Sequence, residues 1–338
     1  MEDFGFPNPP TRRVYKRQND NKIPILFMMV GLPGSGKSTL ADTLVVEDDK
    51  WHTKPHIHSS DALRLELYGD ENSQEHNTGL FVELHKRIKN DLINGINVIY
   101  DATNISKKRR VAFLAELKNI PCHKCCICVM TPYDMCLQFN ETRERKVPNE
   151  VIQRMYMNWN PPDYSEGFNE IIVAFNYRDI GTRLKYTTTY LFDGEDGIDA
   201  MSQENSHHTL TLGHHCKAAM KYTQEHYPEN YILHVAALFH DNGKVFTKTH
   251  INSHGEDDGQ CHYYQHHCVG AYDVFFYLDV LNFPTNEQLY IANLIYYHMH
   301  PFTVWKQSDK AKSRCRTQIG EKMFADIEKL HEADLAAH

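Results

Sequence analysis

The segment at residues 31–38, GLPGSGKS, constrains the fold of this chain more than any other stretch. It matches the phosphate-loop pattern G-x-x-x-x-G-K-[ST] at every fixed position. An apolar run at 25–30 precedes it and an apolar-periodic helical stretch at 38–46 follows, which is the strand–loop–helix context that the pattern requires. The backbone N–H groups of such a loop, together with the helix N-terminus, bind anionic oxygens. The segment therefore predicts a nucleoside triphosphate site formed by Gly31, Pro33, Gly34, Ser35, Gly36, Lys37, Ser38 and Thr39.

Within this loop, two side chains have expected roles. Lys37 would reach the β- and γ-phosphates, and Ser38 would hold Mg²⁺. The segment alone does not say what happens to the phosphate.

Further strand-like runs alternate with helical stretches along the first half of the chain. The runs lie at 56–60, 97–100, 124–130 and 171–175, and the helical stretches lie near 74–93, 107–117 and 147–155. Together with 25–30 they predict an α/β domain, a five-stranded parallel sheet with helices on both faces. Ligands of such sheets bind beyond the carboxyl ends of the strands. The residues that follow each strand are therefore the candidates for chemistry.

Asp61 and Arg64 follow the second predicted strand. A carboxylate there can accept the proton of an attacking hydroxyl, and an arginine one helical turn later can pair with a phosphate of the acceptor. Capping of the helix N-terminus by Ser60 or Asp61 is an equally good interpretation. After the third strand, Asp101 could orient Mg²⁺ through water, and Asn104 could cap a helix or form a turn.

Arg143 and Arg145 lie in the charged segment 140–148, after the fourth strand and a helix. Arginines on a segment that closes over phosphates stabilise the negative charge of phosphoryl transfer. A solvated surface charge run is the alternative.

Four cysteines lie between residues 122 and 128. We interpret them as part of a buried strand and not as a zinc knuckle, because a knuckle needs two paired clusters on turns.

Taken in order, these motifs resemble the kinase module of bacteriophage and bacterial polynucleotide 5′-kinases, over residues 23–175. The resemblance implies that Asp61 is the general base on a 5′-hydroxyl and that Arg64 holds the 3′-phosphate of the acceptor's terminal nucleotide. It also implies that Arg143 contacts the phosphates of ATP or another nucleoside triphosphate. Phe139 stands where the family often has another arginine, a role that Arg145 could fill.

Length and composition limit how the whole chain can be interpreted. Its 338 residues favour two domains, and its net charge of −8 argues against broad nonspecific binding to nucleic acid. The absence of a signal-like start or a long apolar run predicts a protein with no membrane span, in the cytoplasm of a bacterium or of a phage-infected host cell. We predict a lead-in at 1–22, a P-loop polynucleotide kinase domain at 23–178, a connector at 179–203 containing a strand-like run at 187–192, and a second domain at 204–338.

The second predicted domain is helical and rich in potential metal ligands, since sixteen of the 22 histidines lie from Gln203 onward. Helical domains build metal sites from imidazoles and carboxylates that several helices contribute. An adjacent His–Asp pair in an apolar helix is costly unless both side chains are paired or bind metal. The candidates, in chain order, are His215, His240, Asp241, His266, His298 and Asp334.

That order resembles the all-α HD phosphohydrolase superfamily, over residues 206–334. The resemblance implies a ligand set of His215, His240, Asp241 and Asp334, with His266 and His298 added in members that hold two metals. It implies Mn²⁺, Ni²⁺, Co²⁺ or Fe as the metal, and a phosphate contact from Lys244. The neighbouring His208, His214 and His267 are easily confused with the ligands.

The two resemblances together imply a bifunctional enzyme that heals RNA or DNA ends. Such an enzyme phosphorylates a 5′-OH and removes a 2′,3′-cyclic phosphate, a 2′-phosphate or a 3′-phosphate, which prepares the ends for a separate ligase. The known bacterial fusion has the HD domain first, whereas the kinase comes first here. A small-molecule or nucleoside kinase fused to a nucleotide phosphohydrolase would not need Arg64, and an NTP-gated regulatory module would not need Asp61.

Overall fold

The computed structural model describes residues 23–46, 54–70, 77–177, 180–194, 197–204 and 210–337. The predicted lead-in at 1–22 and His208 lie outside these ranges. The described residues form two compact units, one made of 23–155 and 162–176 and the other of 156–161 and 177–337. Within the described ranges, the structure contains no helix with the length and apolar character needed to span a bilayer.

The first unit is built on a parallel sheet, and among the described residues its strands lie in the order β2-β3-β1-β4-β5. Their bounds are β1 Ile25–Val30, β2 His56–Ser59, β3 Val98–Asp101, β4 His123–Met130 and β5 Glu170–Phe175. Strand β1 is central, pairing Leu26 with Val98 of β3 and with Lys124 of β4, and all of its residues are buried. The predicted five-stranded parallel sheet is confirmed.

Helices connect the strands of this unit. They are α1 Lys37–Val46, α2 Ser60–Tyr68, α3 Asn77–Ile93, α4 Lys107–Glu116, α5 Tyr133–Glu141 and α6 Asn149–Tyr156, with a 3₁₀ turn at Tyr164–Glu166. Helix α1 packs on the sheet through Ala41, which joins alternate β1 residues such as Phe27 and Met29 in one apolar cluster. This packing fixes the start of α1, and with it the phosphate loop, against the carboxyl end of β1.

A buried ion pair joins α4 to the 3₁₀ turn. Arg110 donates from Nε and Nη2 to the two carboxylate oxygens of Glu166, each at 2.7 Å, and both side chains are fully buried. Arg110 Nη1 also donates to the carbonyl of Asn104 at 3.0 Å. The pair therefore anchors the loop that follows β3.

The connector is helical where we predicted a strand-like run. It contains α7 Ile180–Lys185 and α8 Thr188–Asp193. The prediction of a strand at 187–192 is wrong because the Thr187 hydroxyl accepts a hydrogen bond from the Tyr190 backbone N–H at 3.2 Å and caps a helix. A helix cap supplied by a threonine side chain overrides the β-propensity of the Thr-rich run.

The second unit is predominantly helical. Its main elements are α9 Leu212–His226, α10 Tyr231–Phe239, α11 Lys244–Thr247, α12 His266–Val280, α13 Thr285–Tyr297, α14 Asp309–Ile319 and α15 Glu321–Ala336. The sequence did not predict the antiparallel hairpin of β6 Thr249–Ile251 and β7 Asp257–His262. Its turn is closed by Asn252, whose side-chain oxygen accepts from the backbone N–H groups of His254 and Glu256 at 2.9 and 3.0 Å.

Residues 156–161 belong to this helical unit although they lie between elements of the first. Trp159 is fully buried and makes edge contacts with the rings of Tyr272 and Phe275 on α12. The Tyr156 hydroxyl donates to Asp273 at 2.6 Å. The segment is therefore part of the core around α12.

Candidate functional site

The phosphate loop closes on itself around Lys37. The Lys37 ammonium donates to the Leu32 carbonyl at 2.7 Å and lies 3.4 Å from the Ser35 hydroxyl. Burial lowers the pKa of Lys37, although Asp101 and Asp61 act in the opposite direction. Arg143 also lowers it. Lys37 thus lies within electrostatic reach of Asp61, the predicted base, and of Arg143 in the segment predicted to close over the phosphates.

Neighbouring segments hold the loop in shape. The Ser35 carbonyl accepts from the Thr131 hydroxyl at 2.8 Å and from the Asn176 side-chain amide at 3.1 Å. Gly34 has φ +77°, and a β-carbon there would stand 2.2 Å from the Cys136 carbonyl oxygen. Only glycine fits that position without moving the start of α5. The remaining predicted contacts also lie in the loop or the first turn of α1, with Pro33 buried and Thr39 exposed.

The predicted magnesium ligand lies beside a carboxylate. The Ser38 hydroxyl donates to Asp101 Oδ2 at 2.8 Å, at the carboxyl end of β3. A phosphate-loop hydroxyl with an aspartate from a neighbouring strand is the pair that holds Mg²⁺ in P-loop enzymes. Asn104, with φ +45°, donates to the Met29 carbonyl at 2.9 Å, so it supports the end of β1 rather than capping α4.

Asp61 lies at the start of α2 and contacts two arginines, Arg64 and Arg145. Arg64 Nη1 donates to Asp61 Oδ1 at 2.8 Å, and Arg145 Nη1 lies 2.5 Å from Asp61 Oδ2. The capping interpretation does not hold for Asp61 or Ser60, because the Ser59 hydroxyl accepts the capping bonds from Asp61 N and Ala62 N. The Asp61 side chain is 41% exposed, which leaves it accessible to a substrate hydroxyl.

Arg143 and Arg145 lie on a loop that the Asn140 side chain holds by hydrogen bonds. The Asn140 amide donates to the Val147 carbonyl at 2.8 Å, and its oxygen accepts from the Val147 N–H at 2.9 Å. These two bonds hold the two ends of the loop 141–146 together. The Arg145 side chain is only 14% exposed and is turned to Asp61, so the surface-charge interpretation does not describe it.

In the helical unit, the predicted ligands converge on Asp241. Among the described residues, His215, His240 and Asp241 form one cluster of potential ligands, and Asp241, His266 and His298 form another. Asp241 Oδ2 lies 3.5 Å from His215 Nε2 and 3.3 Å from His240 Nε2. Asp241 Oδ1 lies 3.3 Å from His266 Nε2 and 3.6 Å from His298 Nε2. One carboxylate therefore faces two histidine pairs, one with each oxygen.

Asp334 completes the first cluster from α15. Its Oδ1 lies 3.2 Å from His215 Nε2 and 3.6 Å from His240 Nε2. Burial opposes ionisation of Asp334, but hydrogen bonds from His215 and His240 hold the pKa of its carboxyl well below the usual range. Burial likewise opposes ionisation of Asp241, and Lys244 and His240 lower the pKa of that carboxyl.

The orientation of the four imidazoles fits metal coordination. Each Nδ1 faces a backbone carbonyl at 2.6–3.1 Å, those of Ala337, Ala237, Tyr263 and Ile295 for His215, His240, His266 and His298 respectively. A carbonyl only accepts, so each Nδ1 is the donor in its contact, and Nε2 is the ring nitrogen that faces the carboxylates or, once deprotonated, can bind a metal. The Nε2 atoms pair at 3.2 Å (His215 with His240) and at 3.1 Å (His266 with His298). Nitrogen and carboxylate donors in this arrangement suit one or two divalent transition metals.

Lys244 and a glutamine that the sequence did not identify lie beside Asp241. Lys244 Nζ lies 2.7 Å from Asp241 Oδ2 and donates to Gln203 Oε1 at 2.8 Å. Gln203 precedes Lys244 by 41 positions and carries no motif, so only the fold reveals it. His214 and His267 stay outside the ligand clusters, with His214 hydrogen-bonded to Thr211 at 2.7 Å and His267 beside the Tyr296 ring.

Comparisons with known proteins found one family match and several relatives, each over less than half of the chain. Residues 26–162 match a protein-family model described as an AAA domain. Protein kti12 of Schizosaccharomyces pombe is 28% identical over 149 residues, which cover 41% of this chain and 52% of that protein. The L-seryl-tRNA(Sec) kinase of Methanococcus maripaludis is 27% identical over 169 residues, which cover 44% of this chain and 65% of that protein.

Similarity to solved structures is weaker. A chain in the structure of the Pnkp1/Rnl/Hen1 complex is 23% identical, over 39% of this chain and 43% of that one, with a TM-score of 0.31. The chain spans between half and two thirds of the length of the two relatives named above, kti12 and the L-seryl-tRNA(Sec) kinase. The first unit has a P-loop domain, and its relatives include a kinase.

Proposed function

We propose that this chain heals nucleic-acid ends with two activities. The first unit phosphorylates 5′-OH ends of RNA or DNA with ATP or another nucleoside triphosphate. The second removes 2′,3′-cyclic phosphate, 2′-phosphate or 3′-phosphate groups with the help of divalent metals. The observation that carries the proposal is the presence of two clusters of charged and imidazole side chains in one chain. Asp61 contacts two arginines in the unit with the phosphate loop, and Asp241 faces two histidine pairs.

In the kinase reaction, Asp61 acts as the general base. It takes the proton of the 5′-hydroxyl, whose oxygen bonds to the γ-phosphorus as the bond from that phosphorus to the β–γ bridging oxygen breaks. Arg64 positions Asp61 before the acceptor binds and then pairs with the acceptor's phosphate. Lys37, released from the Leu32 carbonyl, and Arg143 neutralise charge on the transferred group, and Arg145 exchanges its contact with Asp61 for the donor phosphates.

Mg²⁺ would be held by Ser38, with Asp101 supporting it, and would neutralise charge on the nucleotide phosphates. The Ser38–Asp101 contact of 2.8 Å supports this assignment.

In the phosphohydrolase reaction, one or two metals would be held by His215, His240, Asp241 and Asp334, and by His266 and His298. Such ions lower the pKa of bound water and neutralise phosphate charge. Lys244, already 2.7 Å from Asp241, is placed to contact a non-bridging phosphate oxygen. Water adds to phosphorus, one P–O bond to a ribose oxygen breaks, and that oxygen leaves as a hydroxyl with a proton from the water. A cyclic phosphate needs a second hydrolysis of this kind to lose the phosphate.

The archaeal relative supports an acceptor on RNA, because its name describes a kinase that acts on an aminoacylated tRNA. A separate ligase would consume the 5′-phosphate and 3′-OH products. This chain covers only 65% of the length of that relative. The proposed substrate and ligase partner therefore rest on the residues around Asp61 and Asp241.

Two assays on the purified full chain test the proposal. The first offers a 5′-OH RNA or DNA oligonucleotide with ATP and Mg²⁺, and the second offers an RNA ending in a 2′,3′-cyclic phosphate with Mn²⁺ or Ni²⁺. We expect Asp61→Asn to lower only the first rate, by about 10²-fold or more, and Asp241→Asn to lower only the second. Each variant is the control for the other. Retention of both activities in both variants would overturn the proposal.

The two rival functions have their own outcomes. A free nucleoside phosphorylated as fast as the oligonucleotide would identify a small-molecule kinase. Saturable ATP binding without transfer to any acceptor would identify a regulatory module.

A further inference from the structure

A separate group of potential ligands lies on the β6–β7 hairpin, away from the Asp241 clusters. His250 is on β6, Cys261 is on β7, and Glu204 comes from the segment before α9. The Cys261 sulfur lies 3.5 Å from Glu204 Oε2 and 3.7 Å from either ring nitrogen of His250. His250 Nε2 lies 3.8 Å from Glu204 Oε2.

These separations match those of ligands that share one tetrahedral metal. Bond lengths of about 2.3 Å to sulfur and about 2.0–2.2 Å to nitrogen or oxygen place ligand atoms roughly 3.3–3.7 Å apart around a tetrahedral centre. The observed distances of 3.5–3.8 Å fall at or just above that range. Glu204 and His250 are exposed, so a small inward movement of their side chains toward Cys261 would close the remaining gap.

The backbone and a lysine hold Glu204 in this position. The Glu204 carbonyl accepts from the Cys261 N–H at 2.9 Å, and Glu204 has φ +47°, a conformation that non-glycine residues seldom adopt. Lys248 lies 2.7 Å from Glu204 Oε1, so the other carboxylate oxygen is the one that faces Cys261 and His250. Strain of this kind persists where the surrounding structure requires it.

We propose that Glu204, His250 and Cys261 bind a divalent cation of the zinc type, at a site distinct from the Asp241 clusters. One thiolate, one imidazole and one carboxylate are ligands that Zn²⁺ accepts, whereas the Asp241 clusters offer only nitrogen and oxygen. Three protein ligands leave a fourth position for water or another group.

The ion would also anchor a residue of the neighbouring site. Glu204 follows Gln203, whose side chain accepts from Lys244 and whose carbonyl accepts from the Tyr263 hydroxyl at 2.6 Å. Fixing Glu204 to the hairpin therefore fixes Gln203 against Lys244. This role rests on the proposed phosphohydrolase, but binding of the ion does not.

Cobalt substitution tests the site directly, because thiolate-to-Co²⁺ charge transfer absorbs in the near ultraviolet and the Asp241 clusters contain no sulfur. We expect the full-length protein loaded with Co²⁺ to show this band, and Cys261→Ser to lose it together with about one bound zinc per chain in elemental analysis. Cys268→Ser is the matched control, since Cys268 and Cys261 are both 3% exposed. Asp241→Asn should keep the band even where phosphohydrolase activity is lost.

His250→Gln guards against a folding defect in the Cys261 variant. It leaves the sulfur in place, and we expect it to weaken cobalt binding at least about tenfold while circular dichroism stays unchanged. Absence of the band in the wild-type protein, or its persistence in Cys261→Ser, would overturn the proposal.

Discussion

Gly243 lies so close to His266 that a β-carbon on Gly243 would stand 2.1 Å from the His266 carbonyl oxygen. The turn that carries Asp241 therefore contacts the first turn of α12 backbone to backbone. This close approach brings Asp241 Oδ1 within 3.3 Å of His266 Nε2.

Substitution of Gly243 by alanine should separate these two segments. We expect Gly243→Ala to destabilise the protein by about 1–3 kcal/mol, as overpacking does, and to weaken metal binding. Urea unfolding and metal content measure the two effects. Gly79→Ala is the control, since a β-carbon there meets only the Tyr68 hydroxyl at 3.6 Å. Equal behaviour of the two variants would contradict this account.

Arg64 should affect the acceptor and not the nucleotide. We expect Arg64→Gln to raise the KM for a 5′-OH acceptor carrying a 3′-phosphate by about tenfold or more, because a charge-assisted contact is lost, while the KM for ATP stays within about twofold. Steady-state kinetics with each substrate varied in turn makes the measurement. Arg87→Gln, which removes an exposed pair with Glu66, should change neither value. A rise confined to the KM for ATP would show that Arg64 belongs to the donor site.

The buried pair of Arg110 and Glu166 should be costly to break. Removing one partner leaves an uncompensated buried charge, so we expect Arg110→Met to lower the free energy of unfolding by about 3–5 kcal/mol. The double variant Arg110→Met/Glu166→Leu should lose less, since neither charge remains. Arg87→Met, which removes half-exposed pairs with Glu66 and Glu83, should cost less than Arg110→Met, because these carboxylates remain in contact with water. Denaturant unfolding of the three variants checks the order, and a double variant less stable than Arg110→Met would contradict it.

Metal removal should separate the two activities. After chelation and dialysis, we expect Mg²⁺ alone to restore phosphorylation of 5′-OH ends, and phosphate removal to need Mn²⁺ or Ni²⁺. A metal present at 100 times its Kd should also stabilise the folded protein by about 2.7 kcal/mol per site, visible as a rise in Tm. His298→Ala should reduce that rise. Recovery of phosphate removal with Mg²⁺ alone would argue against a site built on imidazole nitrogen.

The sequence was most informative where function is carried by adjacent residues. The phosphate loop could be read from residues 31–38 together with the strand and helix on either side, because backbone geometry there is local. The Asp241 clusters were accessible only as an ordered set of histidines and aspartates, since the approach of α9, α12, α13 and α15 depends on packing. Nothing in the sequence indicated that Arg110 would meet Glu166, 56 positions away.

Two other features show why local propensity was insufficient. The Thr-rich run at the start of α8 has strand propensity, but Thr187 caps a helix there. The β6–β7 hairpin lies among polar residues with no alternating pattern, and its turn depends on the Asn252 side chain. Glu204, His250 and Cys261 are separate positions that no sequence motif joins, so only the fold brings them together.

Residues 156–161 also limit how the two halves of this chain can be inherited or exchanged. The chain leaves the sheet-containing unit at 155, contributes Trp159 to the core around α12, and returns at 162 before leaving again at 176. A recombination junction between residues 161 and 272 would separate Trp159 from Tyr272, against whose ring it packs. A chain that keeps the helical unit intact must therefore keep residues 156–161, although they lie in the sequence between elements of the sheet-containing unit.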